Sequence, residues 1–312
     1  MTQEHRGVHL VSIDHDQAGQ RLDNFLMGRL KGVPRSHVYR LLRSGQVRVN
    51  KGRKRPHYRL QAGDEVRVPP VSLKQSETPN VPHPLIDRLE QSILLENDDV
   101  LIIDKPAGLP VHAGSGVRYG VIEALRQGRP SESLELVHRL DRDTSGCLLL
   151  ARSRQALTQC HEAFRNEHRI GKHYTALVRG DWSGCHTVDA ALEKVVRSGE
   201  HMIQVSTGGQ HALSHFECSK RYEDPVDASL MRIRIETGRT HQIRVHAAHH
   251  QHPLAGDSKY GDRDFDNQLR PLGLDRLFLH ASKLEFDLPG LGSISAEAPL
   301  PDELSQLLEQ LS

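Results

Sequence analysis

The sequence predicts an α+β protein in two parts, a small basic module near the N-terminus and a larger domain on a mixed, largely antiparallel sheet. Three observations lead there. Strand-like and helix-like segments mix along the 312 residues without the regular alternation of a parallel βαβ sheet. Charge is unevenly divided: between Gln20 and Pro70 lie thirteen of the 41 Lys and Arg but only three of the 40 acidic residues, while the remainder is net acidic. Finally, Pro69, Pro70, Pro79, Pro82 and Pro84 punctuate a polar stretch, the composition of an extended linker. The expected division is residues 1–70 (core about 20–70), a linker over 71–90, and a second domain over 91–312.

The N-terminal elements follow from pattern. Residues 8–13 alternate apolar and polar, as a short strand does. Leu22, Phe25, Leu26 and Leu30 recur at helical spacing. Pro34 and Ser36 open a second helix with Val38, Leu41 and Leu42 inward and Arg35, Arg40 and Arg43 outward; Gly45 ends it. Val47 to Asn50 is a strand, Lys51-Gly52 a turn and Glu65 to Val68 a returning strand. Arg21-Leu-Asp23, the run Arg43 to Asn50 and Ala62-Gly-Asp-Glu-Val66 resemble the S4 RNA-binding domain. Basic side chains fixed on a compact scaffold bind phosphates, with an affinity that falls as salt rises. The candidate RNA contacts here are Arg35, Arg40, Arg43, Arg48, Lys51 and Arg53.

Beyond the linker, Ile93 to Glu96 and Val100 to Lys105 read as strands joined at Asn97. Residues 108–116 are a Gly- and Pro-punctuated loop, and Val121 to Arg126 a short helix. Cys147 to Ala151 is apolar throughout and reads as a buried strand. Ser153 caps a helix running to about residue 167. Lys172 to Arg179 is a strand, residues 187–222 give weak strand signals without clear pairing, and Leu230 to Ile235 alternates. Thr240 is expected to cap a helix carrying His241 to His250, Phe278 to Phe286 is a strand, and Asp302 starts a terminal helix.

Composition excludes several classes. No run of about 18 apolar residues exists to cross a membrane, and residues 1–20 are too polar for a signal peptide. Cys147, Cys160, Cys185 and Cys218 are unevenly spaced with no CxxC pair, which argues against a zinc ribbon or disulfide framework. Reduced thiols and a cytoplasmic location are expected. No heptad pattern is present, so a monomer is the default.

The sequence centres on His138-Arg-Leu-Asp-Arg-Asp-Thr-Ser-Gly146, which places two carboxylates and two guanidiniums in five residues at the mouth of the buried strand. Such charges are costly there unless they pair. Two distant stretches can supply partners: Lys172-His173-Tyr174, and Thr237-Gly-Arg-Thr-His-Gln-Ile-Arg-Val-His246. In order and spacing the three resemble the catalytic motifs of the RluA family of pseudouridine synthases. The likeness extends from about residue 8 to the C-terminus and includes Val111 to Gly116, Gly120-Val-Ile-Glu123 and Tyr260 to Asp266. It implies isomerisation of uridine in RNA, with large-subunit (23S) ribosomal RNA as substrate and partner and no metal or redox cofactor.

By that resemblance Asp141 is the essential carboxylate, needed ionised whether it attacks the ribose or removes a sugar proton. Arg244 matches the Arg that pairs with it, and a two-pronged pairing is expected to fix its rotamer and keep it charged. Tyr174 matches the aromatic lying against the target base. Arg139 matches the residue that fills the space left by a flipped uridine, and flipping is needed because the chemistry cannot proceed inside a stacked helix. His138 and Thr144 are expected near the RNA, shaping the turn by backbone hydrogen bonds. Asp143 is the rival carboxylate, read as structural or RNA-contacting. His246, His249, His250 and His252 could suggest a metal, but no carboxylate or Cys sits at a matching spacing, and RNA-facing or capping roles are expected instead.

Three other functions compete. They are a synthase of the same family acting on other ribosomal sites or transfer RNA, a non-catalytic ribosome assembly factor, and a hydrolase using Asp141 with a His. The assembly factor predicts decay of the Asp, Tyr or Arg motif, all intact here. The hydrolase predicts release of free uracil.

Overall fold

Two units divide the chain at Asn80, in a computed structural model that describes residues 7–15, 17–30, 33, 35–70, 80–114, 117–165, 169–197 and 199–311. In the first, β1 (His9–Ser12), α1 (Leu22–Arg29), α2 (Arg35–Arg43), β2 (Arg48–Val49) and β3 (Glu65–Val68) follow in order. Strand β3 is central, with β1 and β2 antiparallel on either side. Phe25 and Leu26 of α1 and Val38, Leu41 and Leu42 of α2 pack with Val49, Val66 and Val68 of the sheet. Pro34, expected to open α2, lies outside the described residues.

Two of the three acids in the basic segment are turned inward. Asp23 accepts from Arg21 at 2.7 and 3.1 Å and from the Tyr39 hydroxyl at 2.9 Å, and the Arg21 bond foremost holds its carboxyl below the usual range. Asp64 accepts from Asn50 Nδ2, Tyr58 Oη and the Gln61 amide, which outweigh the upward push of burial. These motif acids therefore hold the scaffold, and the exposed face is more basic than the count of charges suggests.

The second unit contains α3 (His83–Gln91), β4 (Ile93–Glu96), β5 (Val100–Lys105), α4 (Val121–Gly128), β6 (Glu135–Leu136), β7 (Ser145–Ala151), α5 (Arg154–Arg165), β8 (Ile170–Arg179), β9 (Cys185–Asp189), β10 (Leu192–Arg197), β11 (Glu200–Val205), β12 (Leu213–Tyr222), β13 (Ala228–Ile235), α6 (Gln242–His249), α7 (Arg263–Leu269), β14 (Leu279–Leu288), β15 (Gly292–Glu297) and α8 (Asp302–Gln310). The main sheet runs β4-β5-β7-β14-β8-β13-β12-β9, with β15 beside β14 and β6 beside β7. Only the β14–β7 pair is parallel, so the sheet is mixed and mostly antiparallel. Strands β10 and β11 form a separate hairpin.

Strand β7 is buried along its whole length because both its faces are covered. Cys147, Leu149 and Ala151 pack with Ala156, Leu157 and Cys160 of α5, while Leu148 and Leu150 pack with Leu89 of α3 and Val121 and Leu125 of α4. Gly146 opens this strand at φ 108°, and a Cβ there would lie 2.2 Å from the Ala281 carbonyl oxygen on β14. Only glycine allows the parallel strands to meet so closely.

The structure departs from expectation in three places. The predicted linker is a helix in its second part: Ile86 and Leu89 of α3 are buried, and their apolar spacing outweighs the prolines, which sit harmlessly at the helix start. Residues 71–79 lie outside the described set, as does residue 167 at the expected end of α5. The weak signals over 187–222 resolve into β9 to β12. Finally, Thr240 does not cap α6. His241 occupies that place in the left-handed region at φ 54°, and the Gln242 side chain reaches back to accept from the Arg239 amide at 3.0 Å and the Thr237 hydroxyl at 2.7 Å.

Candidate active site

The turn before β7 is held by its own carbonyls. Asp141 O accepts from the Thr144 amide at 3.2 Å, Arg142 O from Lys105 Nζ at 3.0 Å, and Asp143 O from Arg276 Nη2 at 3.4 Å. Two of these donors are cations inside the protein. Lys105 is fully buried and also donates to Pro106 O and Leu109 O, each at 2.8 Å. Burial, with the Arg276 charge adding, pushes its pKa down to about 7. Arg276 also donates to Ser145 Oγ at 2.8 Å. That hydroxyl meets His280 Nδ1 at 2.9 Å, and His280 Nε2 donates to Ala298 O at 3.1 Å.

Above this base, Asp141 is one-fifth exposed, and its Oδ2 accepts from Arg244 Nη1 at 3.3 Å. The expected two-pronged pairing exists, but with a different carboxylate. Arg244 donates Nε and Nη2 to Asp257 at 2.8 and 2.7 Å, and it is Nη1 that reaches Asp141. Buried Asp257 takes the Nε–Nη2 edge of the fork, its Oδ1 already fixed by two backbone amides, of Lys259 and Tyr260. Burial pushes the Asp257 carboxyl up, but Arg244 and those amides outweigh it and hold it below the usual range. Burial likewise disfavours the Arg244 charge, and the two carboxylates more than restore it.

Tyr174, on β8, lines the same cleft, whose apolar wall is Leu140, Ile235 and Leu279. Burial first, and then the Asp141 carboxylate, push its phenol pKa up, so the ring is neutral at physiological pH. Arg139 is exposed at the rim of this cleft. Thr144 is buried and also lines it. Asp141, Tyr174, Arg244, Arg139 and Thr144, drawn from three distant stretches, thus share one cleft.

Other candidates sit elsewhere. His138 turns inward: its Nε2 accepts the Leu149 amide at 3.0 Å and its ring stacks on Phe164 at 5.0 Å. Burial, then the Lys172 charge, push its pKa down to about 4, so it serves β7 as a neutral acceptor. The Asp143 carboxylate pairs with its neighbour Arg142. His246, expected to face RNA, is fully buried between Ser214 Oγ and Ala190 O. His250 and His252 stack on Trp182. No group of three or more His, Cys, Asp or Glu able to hold a metal occurs among the described residues. In the N-terminal unit Arg35, Arg40, Arg43, Arg48, Lys51 and Arg53 are all exposed, and Arg48 also donates to Gly45 O and Lys51 O.

Sequence reasoning missed Asp257, His241, Tyr260, Lys105 and Arg276 as members of the site. Asp257 had no signal except its place in a Gly-bounded turn, Gly256 to Gly261, thirteen residues after Arg244. His241 stood inside the quoted motif but was read as helical.

Comparison with known proteins agrees with this picture. Residues 99–249 match the family model described as RNA pseudouridylate synthase, and residues 20–66 match that of the S4 domain. The chain is 50% identical to the ribosomal large subunit pseudouridine synthase C of Escherichia coli (strain K12), over all of this chain and 99% of that protein. It is 49% identical to the protein of that name from Pasteurella multocida (strain Pm70), over 98% of this chain and 94% of the relative. Among solved structures, human RNA pseudouridylate synthase domain containing 4 superposes with a TM-score of 0.59 at 26% identity, covering 73% of this chain and 95% of that one. No described helix is long and apolar enough to cross a membrane.

Proposed function

Since the chain belongs to the RNA pseudouridylate synthase family, we propose that it isomerises specific uridines of large-subunit ribosomal RNA to pseudouridine, with Asp141 as the catalytic carboxylate. The observation that carries the assignment is the cleft itself, where an accessible carboxylate, a guanidinium 3.3 Å from it and a neutral phenol meet on an apolar wall. The substrate class rests on the near-full-length likeness to proteins named for the ribosomal large subunit.

The reaction breaks the N1–C1′ bond, turns the detached uracil and forms a C5–C1′ bond. The proton lost from C5 is balanced by one gained at N1, so no oxidant or reductant is consumed. Arg244 orients the Asp141 carboxylate for attack at the ribose or for removal of a sugar proton. It can do so because Asp257 fixes its fork. Tyr174 offers a flat face for the uracil and a phenolic proton. Arg139, at the rim, is placed to enter the stack vacated by the flipped nucleotide. The exposed Arg and Lys of the N-terminal unit supply phosphate contacts that bring structured RNA to the enzyme.

The test is a pseudouridine map of large-subunit RNA from cells lacking the protein, complemented with wild type or Asp141→Asn. Loss of particular pseudouridines, restored by wild type alone, is expected. Restoration by Asp141→Asn would sink the assignment of Asp141, and an unchanged map in the deletion strain would sink the substrate.

A further inference from the structure

We infer that His241 is a positioning residue which, together with Arg244, faces Oδ2 of Asp141 and aims this carboxylate into the cleft. The inference deepens the isomerase reading and rests on it.

The argument begins with a tautomer. Tyr260 Oη accepts the Ile203 amide hydrogen at 3.0 Å, from the β10–β11 hairpin. With the Ile203 amide already on the oxygen, the phenol proton is best directed at His241 Nδ1, 2.8 Å away, and we take Nδ1 as the acceptor. The proton of a neutral imidazole is then on Nε2, the nitrogen that faces Asp141 Oδ2 at 3.7 Å. That same Oδ2 receives Arg244 Nη1.

The ring is held for this task. His241 sits at the mouth of the cleft in the left-handed backbone region, edge-on to Tyr260 with centroids 5.5 Å apart. The charged groups facing it are the Asp141 and Asp257 carboxylates, Arg244 of α6 and Lys259 of the following turn. Burial lowers its pKa, and the nearby carboxylate only partly opposes that. A neutral N–H orients a carboxylate while quenching its basicity less than a second cation would. The contact is long in the free enzyme and is expected to shorten with RNA bound.

The test uses the full-length enzyme and RNA tritiated at uridine C5, with single-turnover release of label followed from pH 5 to 9. His241→Leu should lose about tenfold or more in rate, the scale of a hydrogen bond to a charged group, while binding RNA as wild type does. His241→Gln, which keeps an N–H of similar reach, should recover most of the rate. Tyr260→Phe, which frees the tautomer, should fall between and decides the matter if His241→Leu does not fold. A wild-type rate in His241→Leu, or a loss in His241→Gln as deep as in His241→Leu, overturns the assignment. Activity in Asp141→Asn instead overturns the reading beneath it.

Discussion

Replacing Asp257 by alanine tests how the Arg244 guanidinium is kept in place. The Asp257 side chain is wholly buried and that of Arg244 only 10% exposed, so truncation leaves a charge inside the protein with two N–H groups lacking acceptors. The Lys259 and Tyr260 amides lose their acceptor as well. Breaking a buried pair from one side costs about 3–5 kcal/mol. Within a total stability of about 5–15 kcal/mol this is a large fraction. For a unit of this size it corresponds to a Tm lower by about 6–20 °C. Arg244, no longer fixed at its fork, also loses its aim on Asp141, and a misplacement near 1 Å costs about a hundredfold in rate. Asp257→Asn keeps an oxygen for the two amides and should fall less far in Tm than in rate. Thermal circular dichroism and single-turnover tritium release measure the two effects. A Tm and a rate for Asp257→Ala both close to wild type would refute the reasoning, since Arg244 would then be held by something else.

Lys105 gives a pH dependence of defined sign. Its folded pKa of about 7 lies below about 10.4 for the unfolded chain, so the unfolded state binds more protons between those values. Its contribution to stability is present above about 10.4 and is lost as pH falls through about 7. The Tm difference between wild type and Lys105→Met should therefore widen from pH 7 to pH 10, and parallel Tm curves would contradict the burial argument. His138 is held neutral down to about 4 against about 6.5 unfolded, so its contribution is present above 6.5 and disappears as pH falls through 4. His138→Phe keeps a ring for Phe164 but leaves the Leu149 amide without its acceptor, a loss of about 1–3 kcal/mol by urea titration at pH 7, with a flatter acid dependence. Gly146→Ala places a methyl against the Ala281 carbonyl and should lower both Tm and rate, whereas a wild-type Tm would mean that β14 yields more easily than its packing implies.

Periodicity carried much of the fold. The continuous apolar run of β7 and the helical spacing of α1, α2 and α5 are local consequences of burial, so they can be read without tertiary knowledge. Residues 187–222 were opaque because β9, β10 and β11 carry little fully buried apolar surface, and β9 pairs with β12, more than twenty residues on, across the hairpin that β10 and β11 form with each other. Helix α3 reads as linker in the sequence because it follows a proline-punctuated polar stretch and itself carries Pro84 at its start, while only Ile86 and Leu89 are buried. Asp141, Tyr174 and Arg244 stood out through motif resemblance. Their mutual geometry did not, because which carboxylate takes the Arg244 fork is decided by two backbone amides in a turn with no sequence period. The inward turn of His138 and the burial of His246 were hidden for the same reason, since a histidine reads alike whether it faces water or an amide.

Strand β14 has a consequence for when the enzyme becomes active. It enters the sheet between β7, which follows the Asp141 turn, and β8, which carries Tyr174, yet it is made of residues 279–288, near the end of the chain. Arg276, which anchors the turn through the Asp143 carbonyl, arrives in the same late segment. During synthesis the Asp141 and Tyr174 strands emerge more than a hundred residues before the strand that joins them, and such distant pairings form slowly. A nascent chain therefore lacks an assembled active site until residues 276–288 have been made and have folded in between two strands already waiting for them.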